Sequence, residues 1–273
     1  MVTLAAASWG TWSLFLRPTG LPPTVTSPII FAVMGLATLP FALRLPKATW
    51  DRKTVSLLLA NVAFDALNLI TFFAAIDCTT VAIAVLSHYV APILIALAAP
   101  RIDGVYVRGV APATAVSLLG LVIVLEPWAA PAQGAALGAT LGVLSAVCYA
   151  GNMFVVRRLA LRIGAPRAMS YHSLIAAVVL APLLFADGGA AVAREDVLLL
   201  AAGALTIGAG SGVMFAIGLV RIGSARAAVL CFAEPLVAVA VGALVWEEPL
   251  HPLAALGGAM VLGAGIHVAR EAR

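Results

Sequence analysis

The chain carries ten long apolar runs, at about residues 2–19, 24–44, 54–76, 79–99, 107–125, 134–156, 167–186, 195–219, 224–246 and 251–269. That pattern leaves few folds open. A hydrocarbon core of about 30 Å is crossed by roughly 20 helical residues rising about 1.5 Å each, and most of the runs are that long. Inside lipid a backbone N–H finds no water, so a span is either a helix or a strand of a closed barrel. Barrel strands alternate polar and apolar residues over about ten positions, whereas these runs are longer and uniformly apolar. Hydrophobic residues make up 63% of the 273 residues and charged ones 10%, against about 45–50% and about 25% in soluble domains. So few charges cannot clothe a water-soluble globule. The expectation is an all-α integral membrane protein with ten transmembrane helices.

Connections are short and marked by Pro, Gly and charge: 17–23, 44–53, 77–78, 101–106, 126–133, 157–166, 187–194, 220–223 and 247–249. None is long enough for a folded domain. Residues 1–19 lack a basic segment and a small-residue cleavage site, so they read as a span rather than a secretory signal. Arg17 either snorkels to the interface or marks a span whose true start lies upstream. With the N-terminus inside, 14 of the 16 basic residues fall on one side, leaving only Arg17 and Arg194 on the other. The acidic Asp77, Glu126, Asp187, Glu195, Asp196, Glu247 and Glu248 sit mostly opposite. The positive-inside rule then places both termini in the cytoplasm. Cys78, Cys148 and Cys231 have no metal or disulfide spacing.

Residues 72–123 overlay 215–266 at an offset of 143. Phe72 falls on Phe215, Ala82 on Ala225, Ala84 on Ala227, Pro92 on Pro235, Gly120 on Gly263 and Ile123 on Ile266. Two five-span units must lie upside down relative to each other, as in many secondary transporters. The expected units are residues 1–126 and 134–273, joined by a linker at 127–133, around a central cavity.

The second half runs Ile222-Gly223-Ser224-Ala225-Arg226-Ala227, then Glu234-Pro235-Leu236-Val237-Ala238, then Trp246-Glu247-Glu248-Pro249-Leu250, then a glycine-rich last span with Gly257-Gly258 and Gly263-Ala264-Gly265. Trp9-Gly10-Thr11 opens the first span. This order resembles the drug/metabolite transporter superfamily, EamA-type. The first half has Asp103-Gly104-Val105 where the second has Trp246-Glu247-Glu248, so the acidic helix-end signature is weak there. The resemblance implies two inverted bundles in a cytoplasmic membrane and a cargo of amino acids, other metabolites, drugs or nucleotide sugars.

Charges at helix centres are costly, about 2.5–3.5 kcal/mol on insertion scales, and so draw a functional reading. Asn61, Asp65 and Asn68 share one helix face at i, i+4, i+7. They line a cavity or form an interhelical hydrogen-bond network. His88 and Tyr89 precede Pro92, which denies the His88 carbonyl its amide partner; Pro235 does the same to the Cys231 carbonyl. Freed carbonyls hold ions or polar substrates in transporters, or are satisfied by neighbours. His88, Asp65 and Glu234 are the proton-coupling candidates. Ser145, Tyr149 and Asn152 form a polar face on the sixth span, and Trp9, Trp12 and Ser13 one on the first. Trp9 aligns with Tyr149 at an offset of 140, so these two spans should face each other. Tyr171 and His172 read as interfacial residues. Gly134, Gly138 and Gly142, and also Gly208 and Gly212, read as helix-packing positions.

No nucleophile–base set, Walker motif or filter loop occurs in the sequence, which argues against an enzyme, an ATP-driven pump and a channel. The expectation is a secondary transporter exporting a small polar solute such as an amino acid by alternating access. The alternative is a proton-coupled multidrug or organic-cation antiporter. No cofactor, metal or nucleic acid is expected; the partners are a small-molecule substrate and the lipid bilayer, and the protein is expected to be a monomer.

Overall fold

A computed structural model describes residues 1–104, 106–128, 133–185, 192–249 and 252–270. Asp187, Leu250, Arg273 and most of the 127–133 linker lie outside them. The described residues form an all-helical membrane protein of ten helices. These are α1 (Val2–Trp9, continued by Ser13–Leu16 and a 3-10 turn Arg17–Thr19), α2 (Pro23–Arg44), α3 (Arg52–Cys78), α4 (Val81–Ile102), α5 (Val110–Leu125), α6 (Ala135–Ile163), α7 (Ala165–Phe185), α8 (Arg194–Ile222), α9 (Ser224–Val245) and α10 (Leu253–Arg270). Eight are long and apolar enough to span a bilayer. The exceptions differ from the sequence expectation for local reasons. The first run is broken at Gly10–Trp12. The fifth is trimmed to 16 residues between Gly109 and Glu126, both with positive φ.

Local signals set the helix starts. Pro23 opens α2 at a position where its missing N–H is not needed. Asp51 caps α3 by accepting the Thr54 amide at 2.8 Å and the Thr54 hydroxyl at 2.7 Å. Thr80 caps α4 through the Ile83 amide. Asp51 also pairs with Arg162 near the end of α6, so the cap of one helix is tied to its main neighbour.

Helix α3 lies along α6, α2 along α7 and α5 along α10. Helix α1 packs on α8 and α9 rather than along α6. At the α5–α10 crossing, a Cβ on Gly120 would strike the Gly257 carbonyl, and one on Gly257 would strike the Gly120 carbonyl. The backbones meet there directly, as small residues permit in membranes. Gly134, Gly138 and Gly142 seat Cys78, Thr79 and Ser87 in the same manner.

The largest core cluster joins Val2 and Ala5 of α1, Ile95 and Ala99 of α4, Val110 of α5, Met153 of α6, Leu219 of α8, Ala225 and Ala227 to Cys231 of α9, and Val268 of α10. These residues fill the end of the bundle that carries the N-terminus. The interior toward the α1–α2 turn is left hollow.

Gly257→Val should force α5 and α10 apart and cost about 1–3 kcal/mol, the usual range for overpacking. Gly263→Val should change little, since nothing lies within 4 Å of a Cβ there. Thermal unfolding in detergent compares the two. A second test concerns Asp51, whose carboxyl is held at about 2 instead of 3.8 by the Thr54 hydroxyl and amide and then by Arg162. A depressed carboxyl stabilises the fold above its unfolded value and loses that effect as pH falls through the folded one. The gap in unfolding temperature between wild type and Asp51→Asn should be full above about pH 4 and close toward about pH 2.

Candidate functional site

A cavity of about 450 Å³ occupies the hollow half and reaches from midspan to Leu16 and Thr26, on either side of the α1–α2 turn. The polar stripe of α3 faces it: Asn61, Asp65 and Asn68 all line the wall. Asn61 Nδ2 donates to Asn152 Oδ1 at 2.6 Å, and Asn152 Nδ2 donates to Asp65 Oδ1 at 3.2 Å. The other Asp65 oxygen lies 2.9 Å from Nε2 of His172. The approach lacks hydrogen-bond alignment, and it is an ion pair only when the imidazole carries a proton. The Asp65 side chain is 23% exposed and that of His172 8%, so the carboxylate is reachable from the cavity while the imidazole stands behind it.

His172 is the residue that the sequence reading passed over. Instead of sitting at an interface, it lines the cavity, edge-on to Phe31 at 5.6 Å. A signal was present. Asp65 calls for a positive partner, and the only imidazoles inside apolar runs away from the last span are His88 and His172.

A second polar cluster lies at the paired helix breaks. Helix α4 stops at His88 and restarts at Ala91, and α9 stops at Leu230 and restarts at Ala233. Pro92 and Pro235 stand in the first turn of the restarted halves. His88 Nδ1 meets Ser145 Oγ at 2.8 Å, and Ser145 donates to Asn68 Oδ1 at 2.8 Å. The Tyr149 hydroxyl donates to Cys231 Sγ at 3.6 Å. Tyr89 is turned away from the main cavity and shares with Glu234 the lining of a small chamber between the breaks. One expectation needs correction here. The Cys231 carbonyl is not left open by Pro235, because the Glu234 amide donates to it at 3.0 Å. The tighter turn supplies the bond that proline removes.

Trp9 and Trp12 line the wall opposite Asp65, with Trp9 against Phe215 at 4.9 Å between ring centroids. Tyr149 and Trp9 thus face one cavity although their helices do not lie along each other. Ser13 points elsewhere, accepting the Trp246 indole N–H at 3.1 Å. Gly208 and Gly212 line the wall as well as pack, seating Met34 and Met169. The segment Ala204–Gly210 is π-helical, a distortion found often at functional sites and unmarked in the sequence pattern.

At the filled end, Asp103 Oδ1 lies 3.2 Å from Arg157 Nη1, and Asp103 Oδ2 accepts the Ser224 amide at 3.3 Å. The Asp103 side chain is only 3% exposed. This carboxylate ties the α4–α5 turn to α6 and to the start of α9.

The site is an aromatic and methionine-rich hollow with two carboxylates, two imidazoles and several amides. Neither Lys nor Arg lines it among the described residues. Nor do the described residues hold a group of three His, Cys, Asp or Glu able to bind a metal. Such a hollow accepts a positive group at Asp65, hydrogen-bonds polar ends through Asn61, Asn68 and Asn152, and shelters an apolar body against the aromatic rings.

The sequence pattern of the EamA-like transporter family matches residues 136–269. An uncharacterized transporter of Archaeoglobus fulgidus is 31% identical over 272 residues, 98% of this chain and 94% of that one. The pseudopaline exporter CntI of Pseudomonas aeruginosa is 27% identical over 250 residues, 89% of this chain and 85% of that one. A crystal structure superposes with a TM-score of 0.82 at 19% identity, covering 98% of this chain and 94% of the other. That last likeness is one of fold.

Proposed function

This chain belongs to the EamA-like transporter family, a family of transporters rather than enzymes, and we propose that it exports a small polar organic solute by alternating access. The observation that carries the reading is the midspan Asp65, paired to His172 and Asn152 and exposed to a cavity of about 450 Å³. Small-molecule sites run from about 300 to 1,000 Å³, so the hollow takes a solute of amino-acid size or somewhat larger. Similarity to a pseudopaline exporter supports the outward direction. An amino acid or related metabolite would place its ammonium at Asp65 and its carboxylate among the asparagine amides.

The organic-cation reading has an observation of its own. With carboxylates in the wall and no Lys or Arg among the described lining residues, a substrate carboxylate meets no fixed positive charge. A lipophilic cation fits that balance at least as well as a zwitterion.

Two inverted five-helix units remain the reading for the repeat. The α2–α7 and α5–α10 pairings join equivalent helices, and α3–α6 has its counterpart in α8–α1, as a two-fold axis in the membrane plane requires. With the basic loops in the cytoplasm, the filled end faces inward and the cavity outward. The Asp103–Arg157 contact then closes the inner side and has to open in the transport cycle.

Counterflow in proteoliposomes loaded with labelled amino acids tests the leading reading. Exchange of particular amino acids supports it, and exchange of lipophilic cations alone moves the assignment to the antiporter. Asp65→Asn and Glu234→Gln should each lower transport at least about tenfold, the effect of about 1.4 kcal/mol. Wild-type rates and pH dependence in both variants would make these carboxylates structural. Asp103→Asn should open the filled end more often. In a background with Cys78, Cys148 and Cys231 replaced, a cysteine at the buried Ala228 should then react roughly fivefold faster with a membrane-impermeant thiol reagent, the factor that about 1 kcal/mol supplies. Equal labelling rates would count against the latch.

A further inference from the structure

The charge balance of the cavity turns on one pair. Asp65 faces the cavity on one side and His172 on the other, and the contact between Asp65 and His172 is 2.9 Å long yet poorly aligned. The surroundings offer His172 little else. Among the described residues, α2 brings the ring edge of Phe31 and no titratable group to this point. Helix α6 brings Tyr149 and the Asn152 amide, and α8 the glycine backbone at Gly208 and Gly212. On α7 itself, the Arg167 guanidinium is occupied by the carbonyls of Ile163 and Leu45, and Tyr171 stacks on Trp50. Glu234 and His88 line the same cavity from α9 and α4. Among the described residues, Asp65 therefore has one basic side chain in direct contact, and that side chain is buried behind it.

We propose that His172 is the built-in counter-ion of Asp65, and that the positive group of the substrate competes with the His172 imidazolium for that carboxylate. This rests on the transporter reading above and names its substrate class: solutes carrying an ammonium or other organic cation. When the substrate cation settles on Asp65, the imidazolium N–H bond breaks and its proton passes to cavity water. The neutral ring stays in place, edge-on to Phe31. One proton leaves for each monovalent cation bound, and the reverse exchange reloads the site. Histidine suits this task because its charge changes between about pH 5 and 8. An Arg or Lys there would hold Asp65 permanently.

The probe is tetraphenylphosphonium, a cation with no titratable proton, so any pH dependence of its binding belongs to the protein. Phenethylamine serves as a second probe. In purified wild-type protein, apparent affinity should fall by about tenfold per pH unit on the acid side. Calorimetry in buffers of different ionisation enthalpy should find about one proton released. His172→Gln keeps a neutral polar side chain and should bind the probe with a flattened pH profile and no proton release. His172→Arg, shown folded by thermal unfolding, should bind at least about tenfold more weakly at every pH. A His172→Gln profile identical to wild type, with the proton still released, overturns the proposal and leaves His172 as a structural tie between α3 and α7. No binding of either cation to wild type at any pH also overturns it. Counterflow of an uncharged or anionic solute in that case would leave the transporter reading standing.

Discussion

A carboxylate in the middle of a membrane helix has to be given partners, and the arrangement around Asp65 follows from that need. Unpaired, it would cost several kcal/mol in hydrocarbon. Here α6 supplies the Asn152 amide and α7 the His172 ring, and Asn61 of the same α3 face steadies Asn152 from below. Three helices are thereby pinned around one oxygen pair. These helices wall a hollow, not a filled core. The same groups that make α3 tolerable in the bilayer make the hollow polar at one point and apolar elsewhere, which is what a selective solute site requires.

Much of this was legible in the residues because it depends on local periodicity. The i, i+4, i+7 stripe of Asn61, Asp65 and Asn68 put all three on one face, and all three line the cavity. Pro92 and Pro235 mark both helix breaks within three residues, since a proline removes an amide donor and its ring crowds the carbonyl four residues earlier. What stayed hidden depends on which helices are neighbours. Depth counted from an assumed span start put His172 near an interface, whereas the helix begins at Ala165 and its ring reaches Asp65. Ser13 follows the cavity aromatics Trp9 and Trp12 in the chain, yet its direction is decided by the Trp246 indole just past α9. The π-helical stretch of α8 has no composition of its own, being glycine and alanine around Leu205, Thr206 and Ile207. The break in α1 at Gly10–Trp12 lies inside residues 2–19, whose composition reads as one continuous span.

The two walls of the hollow rest on different sets of helices. The Asp65 wall is held by α3 with α6 and α7. The tryptophan wall belongs to α1, and α1 is fastened to α9 along one face. Gly10 leaves no gap for a Cβ against the Glu234 backbone, Ser13 takes the Trp246 indole N–H, and Arg17 pairs with Glu248 at 2.6 Å while lying 5.3 Å from the Trp246 ring centre. The three contacts follow one another along α1 and its continuation, so they act together. The Arg17–Glu248 pair is about half exposed, and alone such a pair contributes little. Its role here is alignment, together with a backbone contact and an indole hydrogen bond. Trp9 and Trp12 consequently travel with the helix that carries Glu234. The proposed alternating access needs two bodies with the solute between them, and a cation held between Asp65 and the tryptophan faces would touch both. Binding would then be felt directly as a pull of one body toward the other, without a signal having to cross the protein.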